Sequence, residues 1–154
     1  MRPLESLLAE HPFFVDLGET FSKTVAGCGR QVRFKPGAYL YRRGDAADTF
    51  YILRRGRVGL ELRGPKGAQL FHTEHAGDVV NAAWIAPPYR CGSDARALET
   101  TLAVAVDAAC LRGKCEADHD LGYALMARFV ALLVERLREA RYQALDVYGT
   151  GVAG

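Results

Sequence analysis

The spacing of apolar positions changes twice along this chain. Leu4, Leu7 and Leu8 recur at helical spacing, so residues 4–9 read as a short helix, and residues 21–26 as a second. Phe13-Phe14 between them is an apolar anchor expected beneath the rest of the fold. From Gly29 the period drops to two. Gln31-Val32-Arg33-Phe34 alternates and is closed by Pro36-Gly37, and Tyr39-Leu40-Tyr41 is a brief strand ended by Arg43-Gly44-Asp45. Residues 49–53 form an apolar strand, Gly56 separates it from the alternating run 58–62, and Gly64-Pro65-Lys66-Gly67 turns into a partner strand, 68–75. Gly77-Asp78 leads to Val79-Val80, and 93–98 and 102–106 are the last strands. About eight short strands with turn signals every ten residues or so predict a closed barrel or jelly roll. Gly37, Gly44, Gly56 and Gly77 mark its turns, where positive φ is cheap only for glycine.

From Asp107 the pattern is helical again. Asp107 can cap 108–115, and Asp118 a long helix over about 119–148. Along it Met126, Val130, Leu133, Leu137, Ala140, Ala144 and Val147 alternate in steps of four and three, the stripe of a helix that pairs. At 1.5 Å per residue such a helix runs some 45 Å, past its own domain, so a homodimer through it is the simplest way to cover the stripe. The reading is therefore one mainly β domain with flanking helices over 1–148: N-terminal helices 1–28, an eight-stranded roll 29–107 and C-terminal helices 108–148. Gly-Thr-Gly-Val-Ala-Gly, 149–154, is expected to be a flexible tail too short for a DNA-reading domain.

Composition narrows the function classes. The 154 residues carry a net charge of +2 with mixed signs, which is no overall footprint for nucleic acid. No apolar run is long enough to span a membrane, and no signal peptide precedes His11-Pro12, so a cytoplasmic protein is the default. Cys28, Cys91, Cys110 and Cys115 fit no zinc spacing and are expected to be reduced structural thiols, with Cys91 the one to watch for redox or iron–sulfur chemistry. His72, Glu74 and His75 invite a cupin-like metal reading, but on a strand His75 faces away from the other two, so no metal is expected. No nucleophile motif or phosphate-binding loop suggests catalysis. Asp94 and Arg96 are read as a strand-surface or pocket-rim pair, and Arg42, Arg43, Arg54, Arg55 and Arg57 as a solvated face.

Phe34-Lys35-Pro36-Gly37, Leu40-Tyr41-Arg42-Arg43-Gly44-Asp45, the run from Ala47 through Phe50-Tyr51-Ile52 to Val58, Gly77-Asp78 and Asp94-Ala95-Arg96-Ala97 together resemble the cyclic-nucleotide-binding domain. This is the regulatory module of the catabolite-activator family, of protein kinase A regulatory subunits and of gated channels. The resemblance implies a non-catalytic ligand-sensing role in signal transduction with a regulatory partner protein, while the charge balance and the lack of a spanning apolar run lead us to expect no nucleic acid or membrane partner. It also implies a phosphate cassette after the Gly-Asp turn, where a Gly-Glu pair and a downstream Arg hold the cyclic nucleotide. Here Asn81-Ala82 stands in place of Gly-Glu, and Cys91 at the Arg position, with Arg90 one place before it. The candidate ligand residues are Asn81, Ala82, Ala83, Trp84, Tyr89, Arg90, Cys91, Gly92 and Ser93, with Ala140 and Arg141 near the base-facing helix positions. Two readings stand: weak binding of cyclic AMP or GMP or of another, flatter ligand with Trp84 and Tyr89 as stacking walls, or an interaction module whose pocket Trp84 plugs. A cupin-like metal enzyme is a third.

Overall fold

The computed structural model describes residues 3–153 and, within the last helix, side chains up to Asp146. Two short helices, α1 (Leu4–Glu10) and α2 (Glu19–Ala26), precede eight strands: β1 (Gly29–Phe34), β2 (Tyr39–Tyr41), β3 (Thr49–Arg55), β4 (Arg57–Gly64), β5 (Gly67–His75), β6 (Val79–Val80), β7 (Asp94–Ala97) and β8 (Thr101–Asp107). Helices α3 (Ala108–Ala117) and α4 (His119–Ala153) complete the chain. The strands form two four-stranded antiparallel sheets, β1-β8-β3-β6 and β2-β7-β4-β5, wound as a jelly roll with flanking helices.

Strand β3 shows why its run 50–53 is apolar throughout. Phe50 and Ile52 join a cluster with the helix residues Leu8, Val25, Leu111, Leu125 and Phe129 and with Phe14 between α1 and α2, whereas Leu53 and Tyr51 belong to a second cluster with Val58, Val80, Ala95 and Ala103. The first sheet is thus covered by helices on one face and by the other sheet on its second face, and a strand buried twice has no polar side. Between β3 and β4, Gly56 takes a φ of +93°, and a Cβ there would lie 2.5 Å from Thr101 Oγ1 and 2.6 Å from the Thr100 carbonyl. Only glycine fits that turn.

Both expected aspartate caps form. Asp107 accepts a hydrogen bond from the Cys110 amide at 2.9 Å, and Asp118 accepts from those of Asp120 (3.1 Å) and Leu121 (3.2 Å). Helix α4 does not stop at Tyr148 before a loose tail but continues to Ala153. Gly149 and Gly151 weaken a helix by about 1 kcal/mol each yet keep their N–H groups, so the ladder of hydrogen bonds is not interrupted. Its first turns bury Leu121, Leu125 and Phe129, and beyond them Val130, Leu133, Val134 and Leu137 are 41–55 % exposed.

The expectation of four reduced thiols is overturned for one pair: Cys28 and Cys110, 82 residues apart, are joined by a disulfide with Cα atoms 5.7 Å apart. The β1–β8 ladder, extended by an Asp107 N–H to Cys28 carbonyl bond of 2.8 Å, sets the first turn of α3 beside the end of α2. Only this long-range pairing makes the two sulfurs neighbours. Cys91, buried, and Cys115, half-buried, remain thiols.

Candidate ligand-binding site

The segment from β6 to β7 is the cassette, and its own side chains satisfy it. Asn81 adopts a φ of +80°, a conformation asparagine tolerates better than most residues. Its amide nitrogen donates to the Thr49 carbonyl at 2.9 Å and approaches Cys91 Sγ at 3.5 Å, while its Oδ1 accepts from the Ala83 N–H at 3.2 Å. An amide that would greet an anion in a cradle is already taken. The helix that follows is a single 3₁₀ turn, Ala83–Ile85, preceded by half-buried Ala82 and opened by half-buried Ala83.

Trp84 is not a wall of the roll. Its ring is fully buried on the helix side, stacked on Phe50 with centroids 4.9 Å apart and set edge-on to Phe129 at 5.2 Å. Arg112 of α3 donates to the Trp84 carbonyl at 2.7 Å, and its guanidinium lies 4.6 Å from the centre of the Tyr89 ring. Tyr89 is therefore covered by an arginine rather than turned toward a ligand. Further along, Ala47 N–H donates to Tyr89, Cys91 N–H to Asp45 and Gly44 N–H to Cys91, each at 2.8 Å, so this half of the cassette is zipped to the β2–β3 loop. Arg90 sits exposed on a bridge to Ala46, and Gly92 is exposed, while Cys91 and Ser93 are buried. Burial pushes the Cys91 thiol above its usual range. A neutral thiol supplies no charge for a phosphate.

The roll interior has its charge from elsewhere. Glu74 lies opposite Val58, and His72 opposite Leu60, on the face where the inter-sheet cluster sits. Glu74 is 1 % exposed and is ion-paired by Arg136, which reaches in from α4 and also donates to the Val79 carbonyl at 3.3 Å. His72 Nε2 is 3.2 Å from the same carboxyl, and His72 Nδ1 is 3.9 Å from Glu139. Burial pushes the Glu74 carboxyl up to about 8, with Arg136 opposing and Asp78 adding to the rise. Burial first, then Arg136, holds His72 below its ordinary value. The Tyr41 phenol, packed against the same cluster, is raised chiefly by burial and then by the nearby Cys91 and Glu74.

Sequence reasoning did not place Arg136 or Tyr41 in a candidate site and weighed Glu74 only as a metal ligand. It noted that His72 and Glu74 share a strand face, without the helix residue that meets them there. A signal for Arg136 existed: Leu121, Leu125, Phe129, Leu132 and Arg136 continue the buried face of α4 in steps of four and three, off the proposed pairing stripe. Ala140 and Arg141, read as base-facing, are exposed.

Asp94 and Arg96 do not close the pocket. They alternate with Ala95, which faces the interior, and so lie on the outer face of their sheet. There Asp94 accepts from the Arg43 amide at 2.8 Å and pairs with Arg42 at 3.4 Å, and the first of these holds its carboxyl below the usual range. Arg96 pairs with buried Glu61 at 2.9 Å. Among the described residues no group of three or more His, Cys, Asp or Glu is arranged to hold a metal ion, and no helix is long and apolar enough to cross a membrane.

With this geometry the comparisons with known proteins agree. The model of the cyclic nucleotide-binding domain family matches residues 31–118. A protein assigned to cyclic nucleotide binding from Geobacter metallireducens GS-15 is 26 % identical, with a TM-score of 0.78 over 89 % of this chain and 99 % of that one. A cyclic nucleotide-binding domain from Methylobacillus flagellatus KT is 18 % identical, with a TM-score of 0.78 over 93 % and 81 % of the two chains. The sensor domain of the transcriptional regulator DNR from Pseudomonas aeruginosa is 21 % identical, with a TM-score of 0.68 over 88 % and 91 %. No curated protein sequence matches the chain.

Proposed function

The chain belongs to the cyclic nucleotide-binding domain family, and from that premise we propose that it is a non-catalytic, ligand-sensing regulatory domain that reports the state of its roll interior through α4. The observation that carries this reading is Arg136: one side chain of the long helix ends on a buried carboxyl and a strand carbonyl inside the roll. Anything that moves Glu74 or β6 must also act on α4, which is what a two-state module needs.

The output is a homodimer in which α4 pairs with its copy, presented to a regulatory partner protein. The stripe Val130, Leu133 and Leu137, each more than 40 % exposed, continues through exposed Ala140 and Ala144, while half-buried Met126 anchors its start. Val147 lies outside the described side chains. The input is a small ligand. Because the cassette is capped by Asn81 and has a thiol in place of its arginine, cyclic AMP or cyclic GMP binds weakly, or a different small ligand is preferred. We retain a cytoplasmic setting, in which Cys28–Cys110 is the bond that reduction would open.

Sedimentation and amide NMR test both halves. Wild type should sediment as a dimer and Leu137→Asp as a monomer, since a charge on a pairing seam costs several kcal/mol. Titration with cyclic AMP, cyclic GMP and a panel of nucleosides and small metabolites should shift amide signals in β5, β6 and α4 together. Shifts confined to the surface, with a monomeric wild type, would sink the reading. An interaction module with a self-filled interior is the second reading, favoured by the Glu74–Arg136 pair itself; its signature is a dimer with no response to any compound.

A further inference from the structure

The Glu74–Arg136 pair is a poor permanent arrangement. Glu74 is 1 % exposed, and the groups that meet its carboxyl are the Arg136 guanidinium, His72 Nε2 at 3.2 Å and Asp78. An ion pair taken out of water breaks even only when its remaining lone pairs are satisfied. The Arg136 side chain, by contrast, is 27 % exposed and can be reached from outside. Among the residues that could replace the missing cassette arginine, Arg90 points to solvent while Arg136 already sits on β6 at the Val79 carbonyl.

Resting on the ligand-sensing reading above, we propose that Arg136 is the anion receptor of this roll and that Glu74 is its built-in occupant, displaced when an organic anion binds. The exchange balances in charge. A ligand phosphate or carboxylate takes the guanidinium, and Glu74, left buried without its partner, takes up one proton. Above about pH 8, where Glu74 is ionised, the interior thus holds one anion per guanidinium before and after. The titratable and charged groups around Glu74 are His72 on the same face of β5, Asp78 in the following turn, Tyr41 on β2, and Arg136 on α4, with Glu139 of α4 beyond His72. His72 Nε2 stands 3.2 Å from the same carboxyl, and burial disfavours its charged form.

Calorimetry of wild type and Glu74→Gln with cyclic AMP, and with adenosine as the uncharged control, decides the matter. With Glu74 titrating at about 8, wild type should bind cyclic AMP about tenfold more weakly at about pH 9 than at about pH 6.5, taking up a proton at the higher pH. Glu74→Gln should bind equally well at both and exceed wild type about tenfold at the higher pH. Adenosine should show no such dependence. If Glu74→Gln fails to fold, proton uptake by wild type, measured at the higher pH in two buffers of different ionisation enthalpy, reads the same exchange. Wild type that binds cyclic AMP without proton uptake, or with adenosine following the same pH profile, overturns this inference and leaves the ligand-sensing reading standing. Absence of cyclic AMP binding by both proteins overturns the inference as well, and a silent metabolite panel would then remove the sensing reading too.

Discussion

The two sides of the sheet β1-β8-β3-β6 differ in chemistry although the same strands wall them both. On the helix side Trp84, Phe50, Phe129, Phe13 and Phe14 interlock through stacked and edge-on contacts with centroids 4.9–5.3 Å apart. On the inner side small aliphatic residues, Val58, Val80, Ala95 and Ala103, surround Tyr41, Glu74 and the tip of Arg136. Interlocked, largely buried aromatic rings of this kind serve packing, with no charged group among them to exchange. A buried carboxyl facing a guanidinium is costly to keep and easy to shift, which is how a site capable of switching differs from a core. Trp84 of the cassette belongs to the structural side, and the sensing role proposed above rests on β5 and α4.

The contrast is tested most severely by Trp84→Ala. On this account the cavity opens on the helix side, so urea denaturation should show a loss of about 3–5 kcal/mol. A loss below about 1 kcal/mol would mean that Trp84 does not hold the core. Next in size, Cys110→Ser removes a link that closes an 82-residue loop. Stability should fall by about 2–4 kcal/mol relative to the oxidised protein and match that of the reduced wild type, which thiol counting by mass spectrometry would identify. The smallest effect lies on the inner side and depends on pH. Burial raises the folded-state Glu74 carboxyl to about 8, above its unfolded value. The folded protein therefore binds the extra proton, and the resulting stability is full below the ordinary carboxylate range and lost as pH rises through about 8. Between about pH 6.5 and pH 8, Glu74→Gln should lose less stability than wild type, by on the order of 1–2 kcal/mol. A parallel pH profile for the two proteins would place Glu74 in water and erase the distinction between the compartments.

Much of the fold was legible in the chain because short-range rules wrote it. Alternation marked the strands; Gly37, Gly44, Gly56 and Gly77 all take positive φ where turns were expected, and Asp107 and Asp118 cap the helices that follow them. The candidate site was less legible. Asn81 could be seen to replace a glycine, but its bonds to Thr49 and Ala83 depend on a backbone twist that only the folded segment defines. Trp84 could be a wall or a plug from sequence, and one turn of 3₁₀ helix decided that it faces neither way.

What the amino-acid order determined by itself is the set of local periods: a roll of short strands, two capped helices, and an apolar stripe along the second. Those follow from residue spacing and backbone chemistry within a few neighbours of each position. The pairing of Cys28 with Cys110 and the meeting of Glu74 with Arg136 were decided by tertiary structure alone. Each joins elements remote in the chain, through a strand register in one case and the direction of a helix in the other. Only a closed fold brings such groups together and removes the water that would otherwise keep a carboxyl ordinary.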